Sequence, residues 1–168
     1  MSKPQVLILM GSDSDFETMN EAAVALKQFG IEYEIEVASA HRSPARTSKL
    51  TREALGRGIK CIIAGAGGAA HLAGVIAAET TLPVIGVPIA STPLAGFDSL
   101  LAMVQMPAGI PVATVAVGKA GATNAGILAA QMIGLSDPEV ARKLVAYKEK
   151  LAKGVEEKSA KLKEKLAK

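Results

Sequence analysis

Short apolar runs and longer amphipathic stretches alternate along this chain, the rhythm of strand–helix units. Val6 to Met10 is continuously apolar and predicts a strand buried on both faces. Gly11-Ser12-Asp13-Ser14-Asp15 follows, then a predicted helix from about Phe16 to Phe29, stopped by Gly30. Tyr33 to Val37 alternates acidic with apolar positions and predicts a half-buried second strand. Ser39-Ala40-His41-Arg42-Ser43-Pro44 separates it from a helix over Ala45 to Arg57, with Ser43 as N-cap, Pro44 in the first turn and Gly58 at the end. A third strand is predicted over Lys60 to Ala64, running into the glycine-rich stretch Gly65 to Gly74, with a helix over His71 to Thr80. Val84 to Val87, between two prolines, predicts the fourth strand. A helix capped by Asp98 or Ser99 runs to about Gln105, Pro111 to Val117 predicts the fifth strand, and Asn124 to Ile133 a further helix.

Asp137-Pro138-Glu139 opens the last helix, where Val140, Leu144, Tyr147, Leu151, Val155, Leu162 and Leu166 mark one apolar face. That face is expected to pack on the body or on a neighbouring subunit. Beyond Gly154 the helix is expected to fray, since its lysines and glutamates need only water.

Alternation of this kind predicts a parallel sheet covered on both faces, an α/β fold of the flavodoxin-like sort. A single domain is expected over 1–168, with 136–168 as a helical extension. In strand order 2-1-3-4-5 the switch point falls between the first and third strands. Loops one and three then flank a cleft, with loop two beside them.

Composition narrows the class. Hydrophobic residues make up 49% but aromatics only 3%, so the core must be built from Ala, Val, Ile, Leu and Met. The net charge of +3 comes from the tail, where Glu139 to Lys168 holds ten Lys/Arg against five Asp/Glu. A basic helix whose lysines alternate with glutamates is a solvated face, so nucleic acid is not expected as a partner. Thr80 to Gly118 holds a single charged residue, Asp98. Five prolines cut that region into short pieces and no aromatic belt flanks it, so a soluble interior extended by subunit contacts is expected rather than a membrane span. The one cysteine, Cys61, lies in an apolar run and reads as a buried, inert thiol in a reducing compartment. Val6 to Met10 is too short for an export signal, and a cytoplasmic protein is expected.

The predicted loops carry the chemistry. Hydroxyls and free amide groups of Gly11-Ser12-Asp13-Ser14-Asp15, at a helix start, suit a phosphate, and Asp15 suits ribose hydroxyls; ordinary capping accounts for the same residues. Asp13 and Asp15 lack a third oxygen ligand, so no metal is expected. His41 and Arg42 set a neutral base beside a permanent cation, fit for an anionic substrate that exchanges a proton. Gly65-x-Gly67-x-x-Ala70 matches a relaxed dinucleotide fingerprint, but after the wrong strand and without the acidic residue that should follow. Small residues around His71 predict instead a dry, apolar pocket for a flat ring or carbon dioxide. The glycine spacing before Lys119 is not that of a P-loop, and this lysine reads as structural.

On these residues the sequence resembles the bacterial 5-(carboxyamino)imidazole ribonucleotide mutases of purine biosynthesis. The likeness rests on Gly-Ser-Asp-Ser-Asp at 11–15, Ser-Ala-His-Arg at 39–42 and Gly-Ala-Gly-Gly-Ala-Ala-His-Leu at 65–72. Asp98 to Leu101, Val104 to Pro107 and Gly118 to Ala122 extend it, so that it spans Val6 to about Ile133. Phe16 stands where the family commonly has Trp, and Ala73 where it commonly has Pro, which removes a rigid ring from the histidine loop.

The resemblance implies a homo-octamer that needs no metal, nucleotide or biotin. Ser12, Ser14, Ser39 and Arg42 would hold the substrate phosphate and Asp15 the ribose. His41 would be the acid–base residue. Gly67, Gly68, Ala69, His71 and Leu72 would shape the pocket for the imidazole and the carboxyl group. Two alternatives stay open: the related carboxylase that takes free carbon dioxide, and a non-catalytic flavin- or nucleotide-binding module. Flavin sites usually stack an aromatic ring, and the predicted ligand loops contain neither Trp nor Tyr.

Overall fold

Alternate side chains along the central strands point to opposite faces, and both faces here are apolar. In the computed structural model, which describes residues 3–167, they form one parallel sheet. Its strands are β1 (Val6–Met10), β2 (Tyr33–Val37), β3 (Cys61–Gly67), β4 (Val84–Ile89) and β5 (Ala113–Thr114). Their order is β2-β1-β3-β4-β5, as the alternation predicts, with the switch point between β1 and β3. The helices are α1 (Phe16–Phe29), α2 (Pro44–Arg57), α3 (Leu72–Glu79), α4 (Phe97–Val104), α5 (Lys119–Gly134) and α6 (Pro138–Leu166).

Val6, Ile8, Met10, Cys61, Ile63 and Ile85 face α1 and α5, which meet through alanines. Leu7, Leu9, Ile62 and Ala64 face α2, α3 and α4 through Ala54, Leu72, Ile76 and Met103. With few rings to fill space, the core closes on aliphatic side chains fully removed from water, each worth about 1.5–3 kcal/mol. At the sheet edge, β2 turns Glu34 and Glu36 toward α2, where Arg57 and Arg46 each donate at 2.6 Å. Charged pairs there also discourage pairing with a stray strand.

The boundaries of β1, β2 and α1 match those predicted. Four others differ. β3 continues through Gly65, Ala66 and Gly67, which pair with Val87, Pro88 and Ile89, so the glycines expected in a loop are strand residues. β4 accommodates Pro88 because its β5 side is already free of ladder bonds there: β5 pairs only opposite Ile85 and Gly86. The fifth strand is thus two residues rather than Pro111 to Val117, although Val115 N–H still donates to Gly86 and Gly118 N–H to Pro88. α5 begins at Lys119, five positions before Asn124, and α4 begins at Phe97 behind a left-handed Gly96.

Asp137 caps α6 through Glu139 and Val140 N–H, at 3.0 and 3.2 Å. Only the first part of the predicted apolar face meets the body: Val140 is buried, Leu144 and Tyr147 partly so, whereas Leu151, Val155, Leu162 and Leu166 stay exposed. Where fraying was expected after Gly154, the helix continues to Leu166; Lys168, the last residue of the predicted extension, lies outside the described residues. Among the described residues no helix is long and apolar enough to cross a membrane.

Candidate active site

Four loops leave the carboxyl ends of β1 to β4 and line one cavity of about 210 Å³. After β1, the chain folds back on itself. Ser12 N–H donates to Asp15 Oδ2 at 3.2 Å, and Ser14 N–H donates to Ser12 Oγ at 3.4 Å. This closes a capping box, a ~1 kcal/mol device that presets the loop before α1. Asp15 is only 8% exposed. Burial raises its carboxyl above the ordinary carboxylate value; the Ser12 amide and Arg42 pull it partly back, while Asp13 adds to the rise.

After β2, Ala38 N–H donates to Met10 at 2.8 Å, and the chain turns at Ser39. Arg42 N–H donates to Ser39 Oγ at 3.1 Å, and Ser39 N–H to Ser43 Oγ at 3.1 Å. Ser43 holds the N-cap position of α2, with Pro44 behind it, but its hydroxyl turns back to Ser39 instead of capping the helix. These bonds leave the His41 and Arg42 side chains projecting. Arg42 Nη2 donates to Gly11 O at 3.0 Å and so ties the second loop to the first.

After β3, Ala70 N–H donates to Gly67 O at 3.1 Å and closes a turn in which Gly68 and Ala70 both take positive φ. The turn presents His71 at the start of α3, where its ring meets that of His41. His41 Nε2 lies 2.7 Å from His71 Nδ1, the two rings edge to face.

Of the residues expected from sequence, Ser12, Ser14, Asp15, Ser39, His41, Arg42, Gly67, His71 and Leu72 line this cavity. Gly68 and Ala69 do not; they form the outer side of the turn, and Ala69 is exposed. Ala66, Ala70 and Leu72 supply the apolar wall that the small residues predict. Ser91, from the loop after β4, is a lining residue that sequence reasoning misses, and it adds a hydroxyl to that side. A second hollow of about 330 Å³ shares Gly11, Ser12, Ser39 and Arg42 with the first, so a guest longer than a ring can extend past Arg42. Lys119 lies outside both and pairs with Glu17, joining the first turns of α5 and α1.

The arrangement offers a hydroxyl-lined grip with one permanent cation at one end and paired imidazoles with small apolar groups at the other. Comparison with known proteins agrees in chain-wide extent. A curated N5-carboxyaminoimidazole ribonucleotide mutase of Thermotoga maritima is 55% identical over 159 residues, covering 95% of this chain and 92% of that protein. One of Bacillus subtilis is 54% identical over 160 residues, covering 95% and 99%. Among solved structures, Treponema denticola PurE superposes with a TM-score of 0.86 at 36% identity, over 96% of this chain and 99% of that one. The family model described as AIR carboxylase matches residues 5–154, and the chain belongs to that family.

Proposed function

We propose that this chain is a mutase that interconverts 5-(carboxyamino)imidazole ribonucleotide and 4-carboxy-5-aminoimidazole ribonucleotide in purine biosynthesis, with His41 as its acid–base residue. The observation that carries the reading is the meeting of His41 and His71 in one cavity with Arg42 and the serines. Relatives that carry the mutase name at 54–55% identity support it.

The chemistry proceeds by decarboxylation and recapture. The bond between the exocyclic nitrogen and the carboxyl carbon breaks, carbon dioxide is released into the pocket, and His41 returns a proton to the nitrogen. The ring carbon then bonds to carbon dioxide and loses its own proton to His41, which restores the starting state. The carboxyl group is conserved, so the balance closes without a cofactor. One histidine, left by each transfer ready for the other, serves both and contributes about 10²- to 10⁴-fold in rate. Holding carbon dioxide beside the ring makes recapture effectively unimolecular. His71 keeps the His41 ring oriented and shares its proton between the two halves.

Ser12, Ser14, Ser39 and Arg42 hold the phosphate, and Asp15 the ribose hydroxyls. Gly67, His71 and Leu72 shape the ring end, with Gly68 and Ala69 fixing the turn behind it. Binding energy from a phosphate remote from the reacting atoms then positions the ring over His41. The working unit is a cytoplasmic homo-octamer of one-domain subunits. Exposed Leu94, Phe97, Leu101 and Val104, in the nearly uncharged region, support burial between subunits.

The family description favours one further reading, a carboxylase using free carbon dioxide. Incubation with each substrate at ambient bicarbonate separates the two. Turnover of the carboxyamino nucleotide is expected. Turnover only of the uncarboxylated nucleotide, rising with added bicarbonate, would overturn the mutase reading.

A further inference from the structure

Ser91 is the one lining residue with a polar side chain that the reaction as derived leaves without a task. It stands two positions beyond β4, its N–H donating to Ile89 O at 3.1 Å. Its hydroxyl takes no hydrogen-bond partner from the described residues and opens into the cavity of the two histidines. Its place is built rather than accidental. Ser99, fully buried, donates to Ile89 O and Gly96 O at 3.1 and 3.0 Å; Thr92 Oγ1 donates to Asp98 Oδ2 at 2.7 Å; Ala95 holds the loop with a φ of 52°.

The space Ser91 fills exists because residue 67 is glycine. A Cβ at Gly67 would overlap Ser91 Oγ, and the hydroxyl would have to move. Gly67 has no need of glycine for its backbone, since it is a paired strand residue opposite Ile89. The missing side chain therefore makes room for the Ser91 hydroxyl.

Topology says what that hydroxyl meets. The strand tips run in the order β2, β1, β3, β4, with Arg42 and the serines on the first two. A nucleotide anchored there by its phosphate reaches with its ring toward β3 and β4. At that end Ala66, Gly67, Ala70 and Leu72 offer no side-chain polar group, so besides the histidine pair, which serves the proton transfers, Ser91 is the lining side chain with a donor to offer. We infer that Ser91 is a specificity-determining residue whose hydroxyl donates to the migrating carboxyl group. The inference rests on the mutase reading above.

The test is calorimetric titration of wild type and Ser91→Ala with two nucleotides that differ only in the carboxyl group: 4-carboxy-5-aminoimidazole ribonucleotide and 5-aminoimidazole ribonucleotide. Ser91→Ala is expected to weaken the carboxylated nucleotide about tenfold, the scale of a lost hydrogen bond to a charged group, and to leave the other unchanged. Equal weakening of both nucleotides, or of neither, would overturn the assignment. If the wild type binds neither nucleotide, the mutase reading itself falls and takes this inference with it.

Discussion

His41 Nε2 and His71 Nδ1 lie 2.7 Å apart, their rings edge to face at 77° with centroids separated by 4.9 Å. A contact that short needs one nitrogen to donate and the other to accept, so the two rings cannot both be imidazolium while it lasts. The pair holds a proton at the place where the proposed reaction both needs and returns one. His41→Asn is expected to lose turnover by about 10²- to 10⁴-fold while still binding nucleotide in calorimetry. Wild-type turnover in that variant would remove His41 from its role. His71→Asn keeps a polar partner for His41 but removes a titrating ring; the pH dependence of kcat should change while KM holds.

Arg42 bridges the first two loops through Gly11 and faces both hollows. Its planar fork can grip a phosphate with two parallel bonds, which an ammonium cannot reproduce. Arg42→Lys is expected to raise KM about tenfold with kcat largely kept. An unchanged KM in steady-state kinetics would place the phosphate elsewhere.

Asp15 trades stability for binding. Burial raises its carboxyl, so the folded chain holds this proton more tightly than the unfolded one. Below the ordinary carboxylate pKa of ~3.9 both states are protonated and the group costs the fold nothing. As pH rises from there through the folded value, the unfolded chain ionises first and the penalty grows, complete once both are ionised. Asp15→Asn keeps an oxygen for the Ser12 amide and removes the buried charge. Its denaturant midpoint at neutral pH should exceed that of wild type, the gain vanishing near pH ~3, while KM rises about tenfold. A lower midpoint at neutral pH would show that the carboxylate is stabilising after all.

Much of this was legible because the decisive signals are local. Continuous apolarity in Val6–Met10, alternation in Tyr33–Val37 and a stop at Gly30 specify their elements, and their alternation specifies the sheet order. Ser12, Asp15, His41 and Arg42 were found because polar groups at strand ends have few other reasons to be there. The glycines of β3 are not legible as strand, because a stretch without side chains gives no periodic signal; its pairing with β4 is decided in three dimensions. Ser91 escaped for the same reason. Only once β3 and β4 both run two or three residues past their predicted ends does it arrive at the cavity, and no residue pattern within its own loop announces that. The direct contact of His41 with His71, thirty positions apart, is likewise tertiary.

Cys61 provides a check on the core that is independent of the chemistry. It is fully buried in β3, and burial pushes its thiol up to about 12. Because the thiolate is the reactive form, a disulfide reagent at pH ~8 should leave it untouched in the native protein and titrate one thiol after unfolding. Rapid labelling of the folded chain would show that this face of the sheet opens.

The central claim is that neighbouring strand tips hold one ribonucleotide with its heterocycle against the paired imidazoles. A crystal structure with 4-carboxy-5-aminoimidazole ribonucleotide tests it most directly. The expected result is phosphate density against Arg42 and Ser12, with the ring beside His41. A nucleotide bound with its ring away from His41, or its phosphate away from Arg42, would contradict the account.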